Sequence, residues 1–303
     1  MPRRLLLDTA SLYFRAFFGV PPLLAADGVT PVNAVRGLLD MVARFVRDRG
    51  PDELVACWDD DWRPAWRVAL IGSYKAHRVA GGNSDLPVGA AEPEVVDPAL
   101  AVQVPLIREV LKAFGIPVVG AAGYEADDVI GSLAAGAAGP VDVVTGDRDL
   151  FQLVSDDCTV LYLARGVSRY EAVDDAWLQK RYGIRGHQYV DFAVLRGDPS
   201  DGLPGVAGIG EKTAARLLTE HGDLDEVLAA PLPARTRKLL EAASDYLQPA
   251  RAVVAVRRDL PLPGLLALPR SPADPDRLVE LTERLSLAGP VARLRAALAG
   301  DPV

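Results

Sequence analysis

Acidic residues follow several apolar segments of the chain that have the composition of short buried strands. Four aspartates share this position: Asp8 after residues 4–7, Asp59 after residues 54–58, and Asp147 and Asp149 after residues 141–145. The carboxyl ends of parallel strands meet at one edge of a sheet, where ligands bind. We therefore expect these four carboxylates to converge.

A further acidic group, Glu125, Asp127 and Asp128, opens a helix predicted over residues 125–137. Glu125 and Asp128 are three residues apart and share one face of that helix. Any single acid of this kind is explained by an N-cap or by the helix dipole. These two explanations do not account for the convergence of all the groups. Crowded like charges raise each other's pKa and cost free energy unless a cation neutralises them.

Carboxylate oxygens favour a hard divalent cation, and Mg²⁺ is the cation that they usually bind. The three histidines, His77, His187 and His221, are isolated and lack the spacing of zinc ligands. A site built from carboxylates alone indicates phosphoryl chemistry with two metals. Asp198 and Asp201, also three apart, are either an Asx-turn pair or part of a second metal position.

A glycine-rich segment follows these two aspartates. Gly205, Gly208 and Gly210 permit a tight turn with exposed amides before a helix predicted over residues 212–221, and such helix N-termini attract anions. Lys212 in the first turn is unfavourable for the helix itself, which favours a role toward an external anion. The glycine order matches neither the dinucleotide-binding fingerprint nor the Walker loop.

The composition is that of a folded protein. The 303 residues include 41 acids and 33 bases, for a net charge of -8, and half are apolar. Two cysteines cannot form a disulfide framework, so we expect a reducing, cytoplasmic location. We find no signal-peptide pattern and no membrane span. Only five of the 33 bases are lysines, so a lysine that does occur indicates a specific need for an ammonium group.

Strands and helices alternate up to about residue 174, which predicts an α/β core with a mainly parallel sheet covered on both faces. Predicted strands cover residues 4–7, 54–58, 117–119 and 141–145. Predicted helices cover residues 32–47, 62–71, 99–114, 125–137, 147–154, 174–182, 187–196, 212–221 and 233–247. Residues 79–98 are rich in Gly, Pro and acids, which is typical of a flexible excursion.

Several motifs together resemble the 5′-nuclease family, which comprises bacterial 5′–3′ exonucleases, the N-terminal nuclease domain of bacterial DNA polymerase I, and flap endonucleases. The resemblance spans roughly residues 3–260. It is carried by Asp8, by Trp-Arg and Tyr-Lys at residues 66–67 and 74–75, and by three long motifs at residues 123–131, 145–153 and 197–214.

This resemblance implies a PIN-like core over residues 1–175 with an arch at about 76–105, a helix-hairpin-helix subdomain over 176–260, and C-terminal helical packing over 261–303. It implies hydrolysis of DNA with a 5′ flap or a 5′ single-strand/duplex junction, in replication or repair, by two or more Mg²⁺ or Mn²⁺ ions. The implied metal ligands are Asp8, Glu125, Asp127, Asp128, Asp147 and Asp149, with Asp198 and Asp201 at a second site and Asp59 nearby.

The family also implies roles for basic and hairpin residues. Lys75 matches the base that contacts the scissile phosphate, and Arg67 matches a neighbouring phosphate contact. The implied DNA-binding residues are Tyr74, Ser200, Gly205, Gly208, Gly210, Lys212 and Thr213. A K⁺ ion shared with phosphate is implied at the hairpin, with Ser200 and nearby carbonyls as its ligands.

The chain departs from the family pattern in two places. Gly202 replaces the usual Asn, and we expect a small effect because Gly tolerates the same backbone angles. Residues 79–107 contain no Lys or Arg, so the arch attracts phosphate weakly, and we expect it to be disordered without DNA. Its four acids are Asp85, Glu92, Glu94 and Asp97. The chain ends at Val303 without a polymerase, so we expect it to act as a separate protein. We also expect a monomer.

Two other functions fit parts of the sequence: a PIN-type ribonuclease, and a DNA-junction binder without catalysis. The hairpin and the Asp198/Asp201 pair argue against the first, and the complete set of carboxylates argues against the second. The net charge itself does not exclude nucleic acid. Apart from the nine proposed site acids, the chain carries 32 acids against 33 bases. We expect modest DNA affinity that depends on metal and weakens with salt.

Overall fold

A six-stranded sheet lies at the centre of the computed structural model, which describes residues 1–79, 94–264 and 266–300. The strand order is β3-β2-β1-β4-β5-β6, and every neighbouring pair is parallel except β5 with β6. The strands are β1 (Arg4–Asp8), β2 (Glu53–Cys57), β3 (Val118–Val119), β4 (Val141–Thr145), β5 (Cys158–Tyr162) and β6 (Glu171–Val173). The sheet confirms the predicted mainly parallel α/β class. β5 and β6 were not predicted.

Helices cover both faces of the sheet and form the second half of the chain. They are α1 (Thr9–Gly19), α2 (Asn33–Arg49), α3 (Ala65–Leu70), α4 (Pro98–Ala101), α5 (Gln103–Phe114), α6 (Ala126–Ala135), α7 (Asp175–Tyr182), α8 (Tyr189–Arg196), α9 (Glu211–His221), α10 (Leu224–Ala229), α11 (Ala234–Ala242), α12 (Ser244–Val254), α13 (Pro275–Arg284) and α14 (Ala288–Ala299). Short 3₁₀ helices occur at Ala76–Arg78, Asp149–Leu153, Val167–Arg169, Gly186–Gln188 and Pro199–Asp201. No helix of the described residues is long and apolar enough to span a bilayer.

Three predicted helices differ in detail. The segment predicted as one helix over residues 99–114 forms two helices. Asp97 caps α4, and α5 begins at Gln103. The helix predicted over 233–247 divides at Ala243, and the one over 147–154 is a 3₁₀ helix. These differences shorten the elements but leave their order unchanged.

Two apolar clusters lie on opposite faces of the sheet. One joins Leu6 and Val143 of the sheet with α6 and with the helices of the second half, including Leu240 and Leu247. The other packs α1, α2 and α5 together with α13 and α14. The C-terminal segment is therefore part of the core, and it also pairs with β2, since the Leu54 amide donates to the Leu266 carbonyl at 3.0 Å.

The predicted arch is only partly described. Within residues 76–105, positions 80–93 lie outside the described residues. These positions include Asp85 and Glu92, and the prediction of disorder falls on them as well. The described end of this region is anchored: Gln103 is fully buried, and its amide nitrogen donates to Asn33 Oδ1 at 3.0 Å.

Candidate active site

The parallel register brings two acidic strand ends together. β1 pairs with β4 from Arg4 to Leu7, so Asp8 lies beside Thr145, whose hydroxyl donates to Asp8 Oδ2 at 2.6 Å. Asp8 also caps α1 by accepting from the Ser11 amide at 3.0 Å. The carboxylate of Asp8 is thus held at the carboxyl edge of the sheet.

Four aspartates form one interacting cluster at this edge: Asp8, Asp127, Asp147 and Asp149. Burial is the main cause of the raised pKa of each, and it raises the pKa of Asp8 to about 6. Repulsion from Asp147 adds to the raised pKa of the other three. Oδ1 of Asp149 is buried without any hydrogen-bond partner. These carboxylates are held close together and are not neutralised.

Asp59 joins the cluster from β2. Its Oδ1 accepts from the Ala126 amide at 2.8 Å, which ties the end of β2 to the start of α6. Burial raises the pKa of Asp59 to about 7, and the charges of Asp8 and Glu125 contribute in the same direction.

The donors fit a divalent cation. They are carboxylate oxygens, the ligands that Mg²⁺ and Mn²⁺ prefer, and the partnerless oxygen of Asp149 faces this group. Within the described ranges, no three His, Cys, Asp or Glu side chains are already arranged as a ligand set. The residues that would hold metal are therefore together at one edge without a finished coordination shell.

Asp128 and Arg67 have a different role from the predicted one. Arg67 is 2 % exposed, and its guanidinium donates to both oxygens of Asp128, at 2.7 and 2.8 Å. Asp128 also accepts from the amides of Glu125 and Arg257. Asp128 is therefore saturated and does not offer a metal ligand, and Arg67 is too deeply buried to contact a phosphate.

Tyr74 is likewise not placed for base stacking. It is 4 % exposed, and its hydroxyl donates to Glu125 Oε1 at 2.7 Å. The other oxygen of Glu125 accepts from the Lys75 ammonium. Glu125 is held by cations on both sides, so its predicted direct contact with metal would require Lys75 to move. Tyr74 and Arg67 position Glu125.

Lys75 occupies the centre of this network. Although burial opposes its charge, Glu125 raises the pKa of Lys75 well above the usual value, so the ammonium is protonated. The backbone of Lys75 is left-handed, with φ of 48°, and its amide donates to the Asp201 carbonyl at 3.0 Å. A left-handed lysine is strained, and this contact with the helical subdomain helps to hold it.

The turn at Asp198 and Asp201 is capped by bases. Asp198 Oδ1 accepts from the Ser200 amide at 2.9 Å and from its hydroxyl, and Arg196 lies 3.3 Å from Oδ2. Arg78 lies 3.2 Å from Asp201 Oδ1 and also donates to the Ser200 carbonyl. Sequence reasoning missed Arg78, although it lies three residues after Lys75 in the same motif.

Gly202 adopts a left-handed conformation that glycine tolerates, and it leaves no room for a side chain. Its φ is 72°, and a Cβ atom there would lie 2.1 Å from the Ser73 carbonyl oxygen. The Ser73 hydroxyl donates to the Gly202 carbonyl at 2.7 Å, so the two turns are in direct contact. A side chain at this position would displace the turn that carries Lys75.

The glycine hairpin has the predicted form. Gly205 and Gly208 are left-handed, with φ of 69° and 87°. Tyr246 holds the hairpin, because its hydroxyl accepts from the Gly205 amide at 3.1 Å and donates to the Val194 carbonyl. Gly210 is the N-cap of α9 and offers no side-chain cap, so the first amides of α9 are open to an anion.

This fold and site define a PIN-like nuclease dependent on divalent metal. A model of the 5′-3′ exonuclease N-terminal, resolvase-like domain matches residues 3–183, and a model of the 5′-3′ exonuclease C-terminal SAM fold matches residues 184–276. The chain belongs to the 5′-3′ exonuclease family.

Similar proteins cover the whole length. A 5′-3′ exonuclease of Streptomyces coelicolor is 55 % identical over 97 % of this chain and 99 % of its own. A 5′-3′ exonuclease of Mycobacterium tuberculosis is 47 % identical over 97 % and 96 %. The bacteriophage T5 D15 flap endonuclease, solved with DNA and metal ions, shares the fold with a TM-score of 0.62, at 14 % identity over 98 % of both chains.

The raised pKa values predict that pH changes the stability of the metal-free protein. Asp8 and Asp59 bind protons more tightly in the folded state, so stability falls as pH rises from about 4 to about 7. Asp59→Asn should flatten this fall and raise the melting temperature at pH 7.5, since an amide oxygen still accepts from Ala126. Asp60→Asn, at an exposed neighbour, is the control. Thermal melts in chelator test this, and equal slopes for all three proteins would contradict it.

Asp128→Asn should destabilise the fold, because it removes the shorter of the two ion pairs of the buried Arg67 guanidinium and leaves only Glu125, at 3.3 Å. Breaking a buried pair costs about 3–5 kcal/mol, which lowers the melting temperature by roughly 10 °C. Asp127→Asn, in the unneutralised cluster, should leave the metal-free melting temperature unchanged or raise it. If Asp128→Asn melted like the unchanged protein and lost only cleavage, Asp128 would be a metal ligand after all.

Gly202→Ala should slow cleavage of DNA about 10- to 100-fold, since a shift of about 1 Å in a catalytic group has that effect. Gly72→Ala is the matched control, because a Cβ at Gly72 meets nothing within 4 Å and its φ is not positive. Single-turnover rates at saturating enzyme measure the difference. Equal rates for the two variants would show that the Gly202 contact does not position Lys75.

Proposed function

We propose that the protein is a structure-selective 5′ nuclease that hydrolyses DNA phosphodiesters at 5′ flaps and at 5′ single-strand/duplex junctions, in replication or repair. The observation that carries the proposal is a protonated lysine, Lys75, next to unneutralised carboxylates and joined by a hydrogen bond to the Asp201 turn that leads into the hairpin. Family membership supports 5′–3′ polarity.

Asp8, Asp127, Asp147, Asp149 and Asp59 are the proposed holders of the divalent ions. When bound, these ions supply Lewis-acid stabilisation and a water activated near neutral pH. The proposed ions are two or more Mg²⁺ or Mn²⁺, and we also propose a K⁺ ion at the hairpin. Asp198 and Asp201 are proposed for a second position, which Arg196 and Arg78 would have to leave.

The chain's own residues bind and orient the substrate. The amides at the start of α9, with Lys212 and Thr213, hold duplex phosphates without reading base sequence. Lys75 stabilises negative charge that develops on the scissile phosphate. Glu125 holds the Lys75 ammonium toward the cluster until the substrate phosphate is present. We further propose a monomer in the cytoplasm, in keeping with two buried free thiols.

The test is cleavage of a 5′-flap DNA against a single-stranded RNA of equal length, with Mg²⁺ or Mn²⁺ and then with chelator. We expect cleavage of the flap, little of the RNA, and none with chelator. Lys75→Ala should reduce the flap rate at least 100-fold, whereas Lys112→Ala, an exposed lysine on α5, should not change it. Preferred cleavage of the RNA would favour the ribonuclease, and binding without turnover would favour the junction binder.

A further inference from the structure

A cleft of about 490 Å³ opens between β5, β6 and α7, at the β6 edge of the sheet. We call it the β5–α7 cleft. The charged residues in its lining are four bases and one acid: Arg148, Arg165, Lys180, Arg181 and Glu171. This concentration of positive charge is unusual in a chain whose net charge is -8. It indicates an anionic ligand.

The bases of the β5–α7 cleft are poorly compensated. Arg165 and Lys180 are exposed, and neither forms an ion pair with any described residue. Arg181 approaches Glu211 only at 3.9 Å, and Arg148 approaches Asp198 only at 4.0 Å. Contacts of this length on exposed side chains contribute little to stability. The fold therefore does not account for these four positive charges.

Aromatic rings lie between these bases. Tyr162, Trp177 and Tyr182 line the cleft. Trp177 and Tyr182 meet edge to face, with centroids 6.0 Å apart, and the Arg181 guanidinium lies 5.0 Å from the Tyr182 ring centroid. Tyr182 is only 9 % exposed and lies in the apolar core, against which Tyr162 and Trp177 pack, so the rings form the wall of the cleft and the bases are the groups that face a phosphate backbone.

The cleft is continuous with the catalytic edge. Arg148 lies in the chain between Asp147 and Asp149 and reaches into the cleft lining. Arg15 of α1 has a buried Nε without a hydrogen-bond partner. Burial raises the pKa of Tyr162, and the positive charges of Arg148 and Arg15 act in the opposite direction. Arg148, next to Asp147 and Asp149 in the chain, therefore links the acidic edge to the bases of the β5–α7 cleft.

We propose that the β5–α7 cleft binds the phosphate backbone of one substrate strand beyond the point of cleavage. The inference rests on the proposed function in that the substrate is DNA. An acidic protein segment would also meet the bases, but the continuity with the metal edge favours the strand that is being cut. Arg165 and Lys180 each contact one phosphate.

Counterion release tests this proposal. The logarithm of DNA affinity falls against the logarithm of salt concentration with a slope of about 0.9 per phosphate contacted. The double variant Arg165→Ala/Lys180→Ala should therefore reduce the slope by about 1.8 between roughly 50 and 200 mM KCl. The measurement is the enzyme concentration that half-saturates single-turnover cleavage of a 5′-flap DNA with Mg²⁺. We expect this concentration to rise about five- to twenty-fold.

The matched control is Arg295→Ala/Lys112→Ala, which removes one exposed arginine on α14 and one exposed lysine on α5, neither of which lines the β5–α7 cleft. Its slope should equal that of the unchanged protein. Equal slopes for the two double variants would overturn the cleft proposal. If the unchanged protein does not cleave the flap, the proposed function fails instead, and the same slopes measured by fluorescence anisotropy on the flap DNA then decide the cleft by itself.

Discussion

Repulsion between buried carboxylates is the constraint around which the rest of the molecule is organised. Asp8, Asp127 and Asp147 come from three segments that the parallel register forces to one edge, and burial makes each harder to ionise. Such a cluster opposes folding at neutral pH. The fold offsets this cost elsewhere, with two apolar clusters and with salt bridges such as Asp142 to Arg3 and Arg49, at the far end of the sheet.

The acids of the site fall into two groups with opposite electrostatics. Asp128 and Glu125 are neutralised by Arg67 and Lys75, whereas the aspartates of the cluster form no ion pair with a base within residues 1–79, 94–264 and 266–300. The first group fixes positions, and the second leaves charge available to a cation. The two groups alternate within a few residues of α6, so that Asp127 and Asp128 are neighbours in sequence and belong to different groups.

This division is what the sequence could not reveal. Strand ends, the acidic edge and the hairpin follow from local patterns, because β-strands, helix caps and glycine turns depend on nearby residues. The pairing of Arg67 with Asp128 joins positions 61 residues apart, and no spacing rule predicts it. β5 was missed although Cys158–Tyr162 has the same length as β1, β2 and β4 and is predominantly apolar, whereas β6 has only three residues. The tight contact at Gly202 could not be predicted either, because its close neighbour, Ser73, is 129 residues away in the chain.

The helical second half shares its apolar core with the sheet, and the contact is reinforced where Arg67 Nε donates to the Val253 carbonyl at 3.0 Å. The hairpin amides and the carboxylate edge are therefore joined through one continuous apolar core. In the proposed function, the duplex lies against the hairpin amides. The bond that is cut is the one that reaches the carboxylate edge. Under this proposal, the separation of the two sites would set the cleavage position by its distance from the junction and not by the base sequence.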